Sequence, residues 1–81
     1  MRWEVKWKHA ASAKLRHIPW PEAARVDAAV QRFAASGEGD LEWVRGSRAD
    51  YRLLIAGYAI LIEIHADDRV IDVWYVARRR G

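Results

Sequence analysis

Six arginines set the chemistry that this chain can do. Arg45, Arg48 and Arg52 fall close together, and Arg78, Arg79 and Arg80 follow an apolar run, Val73 to Val76. Guanidinium groups stay protonated and present paired N–H donors, so both sets suit phosphate oxygens and suit proton transfer poorly. Trp43, Tyr51 and Trp74 or Tyr75 lie among them and could stack on unpaired bases. The pattern fits a groove for single-stranded RNA, provided the start of one strand lies beside the end of an antiparallel neighbour so that the two arginine sets converge on one rim. The plain alternative is solvated rim charge with the aromatics turned inward.

Other reactive residues carry less. Glu63, His65, Asp67 and Asp68 have metal-capable atoms, and positions 63 and 65 share a strand face. Polar residues belong at a hairpin end in any case, so the expectation is no metal and no cofactor. Ser12 and Ser47 have no adjacent histidine and read as helix-surface and turn serines, while His9 and His17 flank a basic helix face. A Gly-rich phosphate loop, a His-Glu-x-x-His helix and a nucleophile elbow are all missing from the sequence. The absence of cysteine excludes disulfides and thiolate zinc sites.

Charge is distributed more tellingly than its sum of +3 suggests. Residues 1–20 carry net +4, residues 21–77 net −4, and the last four residues +3. If the two basic ends meet, they form one positive patch fit for a phosphate backbone or an acidic protein. The opening stretch lacks the apolar core of a signal peptide, and "LLIAGYAILI" is about half of what a membrane-spanning helix requires. A soluble cytoplasmic protein with no membrane partner is expected.

The elements that must position these groups follow from periodicity. Trp3, Val5 and Trp7 alternate with polar residues in a strand pattern. Lys8 to Arg16 reads as a short Ala-rich helix, ended by "IPWP". Pro21 suits the first turn of a second helix with Ala23, Val26, Val30 and Phe33 at helical spacing, and Gly37 is its C-cap. "LEWV", "YRLLI", "YAILIEI" and "VIDVWYV" read as four consecutive strands, the middle pair turning at Ala56 and Gly57. The 81 residues thus form a single α+β domain: one N-terminal strand, two helices, then a four-strand antiparallel meander in one sheet. Trp3 and Phe33 are expected in its core. "LLIAGYAILI" is apolar on both faces, so something must cover Leu54 and Leu61, either a partner chain or a segment of the same chain.

These stretches, in this order, resemble the RelE/ParE superfamily of type II toxin-antitoxin toxins across nearly the whole chain. "WEVKWKHAASAKLRHIP" resembles the opening strand and the helix running into proline. "VRGSRADYRLLIAGYAILIEI" resembles the Gly-loop, Tyr-Arg-Leu strand and hairpin, and "VIDVWYVARRR" the closing strand and Arg motif. The resemblance implies a RelE/ParE-like fold over 1–81 and a growth-inhibiting toxin held inactive by a cognate antitoxin, with DNA contacted only indirectly through that antitoxin. RelE-type relatives cut mRNA in the ribosomal A site with basic side chains on the sheet; ParE-type relatives poison DNA gyrase without hydrolytic groups.

Carried over by position, Arg52 matches the first basic residue of the family's central strand and Arg79 the Arg after the last strand, which makes them the expected catalytic pair. Arg45, Arg48, Arg78 and Arg80 are the expected RNA-binding set. The expected action is ribosome-dependent mRNA cleavage or obstruction, with ribosome and mRNA as partners. The alternatives are a gyrase inhibitor and a degenerate member that only binds antitoxin. Three departures bear on the choice: Leu54 stands at the next basic position, Ala59 follows Tyr58 where an Arg is usual, and no terminal Tyr precedes Gly81. Arg52 and Arg79 would then supply charge stabilisation without a proton-transfer agent, a role that His65 or Glu63 could fill only by chemical type.

Overall fold

In the first strand, β1 (Glu4–Trp7), Val5 and Trp7 turn toward the helices while Glu4 and Lys6 face solvent. The computed structural model describes residues 2–79, so Arg80, one of the expected RNA-binding residues, lies outside the described residues. After β1 come α1 (His9–Arg16) and α2 (Trp20–Ser36). Pro21 occupies the first turn of α2, where the N–H it lacks has no intrahelical partner in any case. Gly37 ends α2 in the left-handed conformation, φ 78°, and its N–H returns to the Phe33 carbonyl.

The chain then runs through β2 (Asp40–Trp43), β3 (Asp50–Ile55), β4 (Tyr58–His65) and β5 (Val70–Arg78). These four form the antiparallel meander that the sequence predicts. The sheet order is β1-β5-β4-β3-β2, with β1 joined to β5 in parallel. The fold is therefore α+β with five strands in one sheet, and the N-terminal strand is an outer edge rather than part of the meander.

Both helices lie on one side. Ala11 of α1 and Val26, Val30 and Ala34 of α2 are buried with Leu53, Ile60, Ile62, Ile71, Val73 and Val76 of the sheet. Burying such side chains yields about 1.5–3 kcal/mol each, so this layer holds the domain together. Trp3 and Phe33 pack against the cluster but are only partly buried, because β1 is an edge strand and Phe33 sits in the last turns of α2. The core centres instead on β4, whose alternate residues Tyr58, Ile60 and Ile62 are each at most 1% exposed.

Tyr58 is the polar exception within that layer. Its hydroxyl donates a hydrogen bond to the Glu22 carboxylate on α2, tying the helix to the β3–β4 hairpin. Donating this bond keeps the phenol protonated and raises its pKa above the ordinary 10.0, with desolvation and the Glu22 charge acting in the same direction.

Candidate functional site

With both helices on one face, the other face of the sheet stays open. The ladder registers place Glu42 beside Arg52, Arg52 beside Leu61, and Leu61 beside Tyr75, a row running across β2, β3, β4 and β5. The next row is Asp40, Leu54, Ala59 and Ala77. Arg52, Leu61, Tyr75 and Ala77 line a shallow hollow of about 290 Å³ together with Val44, Asp50 and Ala59. Leu54 and Leu61, which the sequence requires to be covered, lie on this open face only half-buried.

A bulge in β5 furnishes the aromatics. Leu61 pairs with Tyr75 but Ile62 pairs with Val73, so Trp74 is an extra residue on that strand. The insertion turns Trp74 and Tyr75 outward together, each 42% exposed, while Val73 and Val76 on either side stay fully buried. Tyr51, by contrast, packs against the core, and Trp43 pairs with it at the β2 edge. Among the stacking candidates, the open face therefore presents Trp74 and Tyr75.

The arginines do not gather on one rim. β3 and β5 both flank β4 antiparallel to it, so they run parallel to each other, and the start of β3 lies beside the start of β5 rather than its end. Arg45 and Arg48, before β3, lie at the opposite end of the sheet from Arg78 and Arg79, with Arg52 between. Arg48 also borders a hollow lined by Glu63, His65, Asp67 and Asp68, an acidic neighbourhood that opposes phosphate. The two basic chain ends stay apart for the same kind of reason: β1 is parallel to β5, so Arg2 and Arg79 extend from opposite ends of neighbouring strands.

Each remaining arginine has a partner. Arg52 Nη1 sits 3.1 Å from Glu42 Oε1 in an exposed ion pair. Arg78 lies over the Tyr58 ring, 5.7 Å from its centroid. Arg79 Nη1 donates to the Ile55 carbonyl at 2.9 Å, and its backbone N–H bonds the Gly57 carbonyl, so this residue clasps the β3–β4 hairpin. Asp50, Arg52 and Tyr75 are thus the reactive-type groups that share the hollow, and the rest of its lining, Val44, Ala59, Leu61 and Ala77, is apolar.

A second polar group occupies the other end of the open face. Glu63 is opposite Asp72 in the β4–β5 ladder, and His65 Nε2 lies 3.1 Å from Asp72 Oδ2. Asp72 belongs to no sequence-based candidate set, whereas Asp67 and Asp68 remain in the turn. The signal for it was the short turn at 66–69: counting back from that turn along both strands brings positions 63 and 72 together.

The sequence matches no protein-family description and no curated protein. Solved structures do match. The toxin-containing RelE-RelB complex from Pyrococcus horikoshii OT3 superposes with TM-score 0.83 at 18% identity, covering 98% of this chain and 97% of that one. The isolated E. coli RelE toxin gives 0.82 at 14% identity, covering 98% and 86%. The RelBE2 toxin-antitoxin complex from Mycobacterium tuberculosis gives 0.80 at 17% identity, covering 98% and 100%. Identities this low speak to architecture, and on that ground the chain has the fold of the RelE toxins.

Proposed function

We propose that this protein is the toxin of a type II toxin-antitoxin module and that it arrests growth at the translating ribosome, by mRNA cleavage or obstruction. The observation that carries the reading is the open sheet face: a hollow holding Arg52 and Tyr75, with Trp74 exposed next to Tyr75 on the same strand, on a fold whose solved neighbours include RelE toxins. Arg52 would meet a phosphate or the charge that develops on it, and the two aromatics would stack on unpaired bases. Arg79, anchored at the hairpin, would approach the backbone from the far end of that face, with Arg45, Arg48, Arg78 and Arg80 contributing longer-range attraction.

Several solved neighbours are complexes with RelB antitoxins, which supports an antitoxin partner here. Half-buried Leu54 and Leu61 and exposed Trp74 are the surface that such a chain would cover, and the module would act in the cytoplasm. Among the described residues, no helix is long and apolar enough to cross a membrane.

One observation favours a second reading. The carboxylates near Arg52 are Asp50 in the hollow and Glu42, which is held in the ion pair with Arg52, and the non-hydrolytic route, obstruction of the ribosome or a ParE-like block of DNA gyrase, needs neither of them as a base. Induced expression tests the toxin assignment. Growth should stop, and co-expression of a neighbouring short reading frame with a DNA-binding head and an amphipathic tail should restore it. Unimpaired growth at high expression of folded protein would contradict the toxin reading.

A further inference from the structure

Asp72 is 8% exposed, and its Oδ1 is buried with no hydrogen-bond partner. An unanswered carboxylate oxygen in such a place is costly unless a positive charge meets it. Lys8 is the nearest ammonium, but its Nζ stands 3.9 Å from the other oxygen, Oδ2, beyond hydrogen-bond reach, and it also lies over the Trp74 ring at 5.0 Å.

The groups facing this carboxylate are donors of electron pairs. His65 Nε2 is 3.1 Å from Asp72 Oδ2 and 3.5 Å from Glu63 Oε1. One ligand atom from each of Glu63, His65 and Asp72 lies within 4.8 Å of the other two. Metal bonds to nitrogen and oxygen of about 2.1 Å, set at the tetrahedral angles that zinc prefers, place neighbouring donors about 3.4 Å apart. Two of the three separations already approach that value, and Glu63 closes the third by a side-chain torsion.

We propose that Glu63, His65 and Asp72 bind a divalent transition-metal ion. One imidazole with two carboxylates suits Zn²⁺, with Mn²⁺ a weaker fit, and a cation seated against Asp72 would answer the charge on Oδ1. The Trp74 indole N–H, 2.9 Å from Glu63 Oε1, orients that ligand from behind, as outer partners of metal ligands do. The ion would clamp β4 to β5 beside the bulge. This site stands independently of what the protein acts on, since its residues are distinct from Arg52 and Arg79.

Titration of the untagged protein with zinc chloride, followed by calorimetry and thermal melting, tests the proposal. One ion per chain and a rise in Tm are expected. Glu63→Gln and His65→Gln, both at half-exposed positions and checked for folding by circular dichroism, should each weaken binding by at least tenfold. A His9→Ala, His17→Ala variant should bind as the wild type does. Absence of stoichiometric uptake by the wild type, or uptake unchanged in His65→Gln, would overturn the site.

Discussion

Arg52 and Glu42 face each other across the β2–β3 ladder with Nη1 and Oε1 3.1 Å apart, so the central arginine of the open face carries its own counter-ion. Their side chains are 46% and 56% exposed, and such a pair contributes at most about 1 kcal/mol. An incoming phosphate therefore competes with Glu42 at small cost. Glu42→Gln should leave stability within about 1 kcal/mol of wild type and increase inhibition of translation several-fold by freeing Arg52. Denaturant unfolding together with a cell-free translation assay reads both, and unchanged inhibition would show that Arg52 does not meet the target.

Arg79 has a structural duty as well as a proposed functional one. Removing its hydrogen bond to the Ile55 carbonyl should cost about 0.5–1.5 kcal/mol. Arg79→Ala should also speed amide exchange around Gly57 and Tyr58. Wild-type stability in that variant would mean that the clasp does not form in solution.

The core prediction sets two exposures against each other. Ile60 is fully buried on β4, and Ile60→Ala should cost about 2–5 kcal/mol by transfer and cavity effects. Trp20, at 80% exposure in the first turn of α2, should tolerate Ala within about 0.5 kcal/mol. Urea titrations would decide the matter; a larger loss at Trp20 than at Ile60 would invert the assignment of inside and outside.

Much of this arrangement was legible in the sequence. Gly37 and the two prolines bound α2 for backbone reasons that no tertiary contact alters, and the Ala56-Gly57 hairpin follows from turn chemistry. Two features depend on pairing and escaped. Strict alternation along "VIDVWYV" places Val73 and Val76 on opposite faces, and only the bulge opposite Leu61 and Ile62 brings both inside and sends Trp74 and Tyr75 out. The choice the sequence leaves open between converging arginines and solvated rim charge depends on pairing in the same way, because whether Arg48 and Arg79 meet is set by β3 and β5 sharing β4 as a neighbour. Local pattern does not encode strand order. Arg52 was identified by type and position, yet its neutralising partner Glu42 is ten residues away in sequence and visible only through the β2–β3 register.

Alkaline titration should expose the Tyr58–Glu22 contact. Tyr58 holds its proton more tightly folded than unfolded, since its pKa is raised above 10.0 by the hydrogen bond to Glu22. Its stabilising contribution is therefore fully present below pH 10 and lost as pH rises through the higher folded value. Tyr58→Phe should lower stability at neutral pH and flatten this alkaline decline. An equally steep decline in the Phe variant would assign it to other groups.

The central claim, that the target is the translating ribosome, is tested most directly by adding the purified protein to a cell-free translation system and, in parallel, to a gyrase supercoiling reaction. The account predicts that translation stops while supercoiling continues, and that an Arg52→Ala, Arg79→Ala variant of intact fold loses the effect. Codon-spaced cuts in the ribosome-bound mRNA would identify cleavage, and uncut mRNA on halted ribosomes would identify obstruction. Uninterrupted translation with supercoiling abolished would contradict the account.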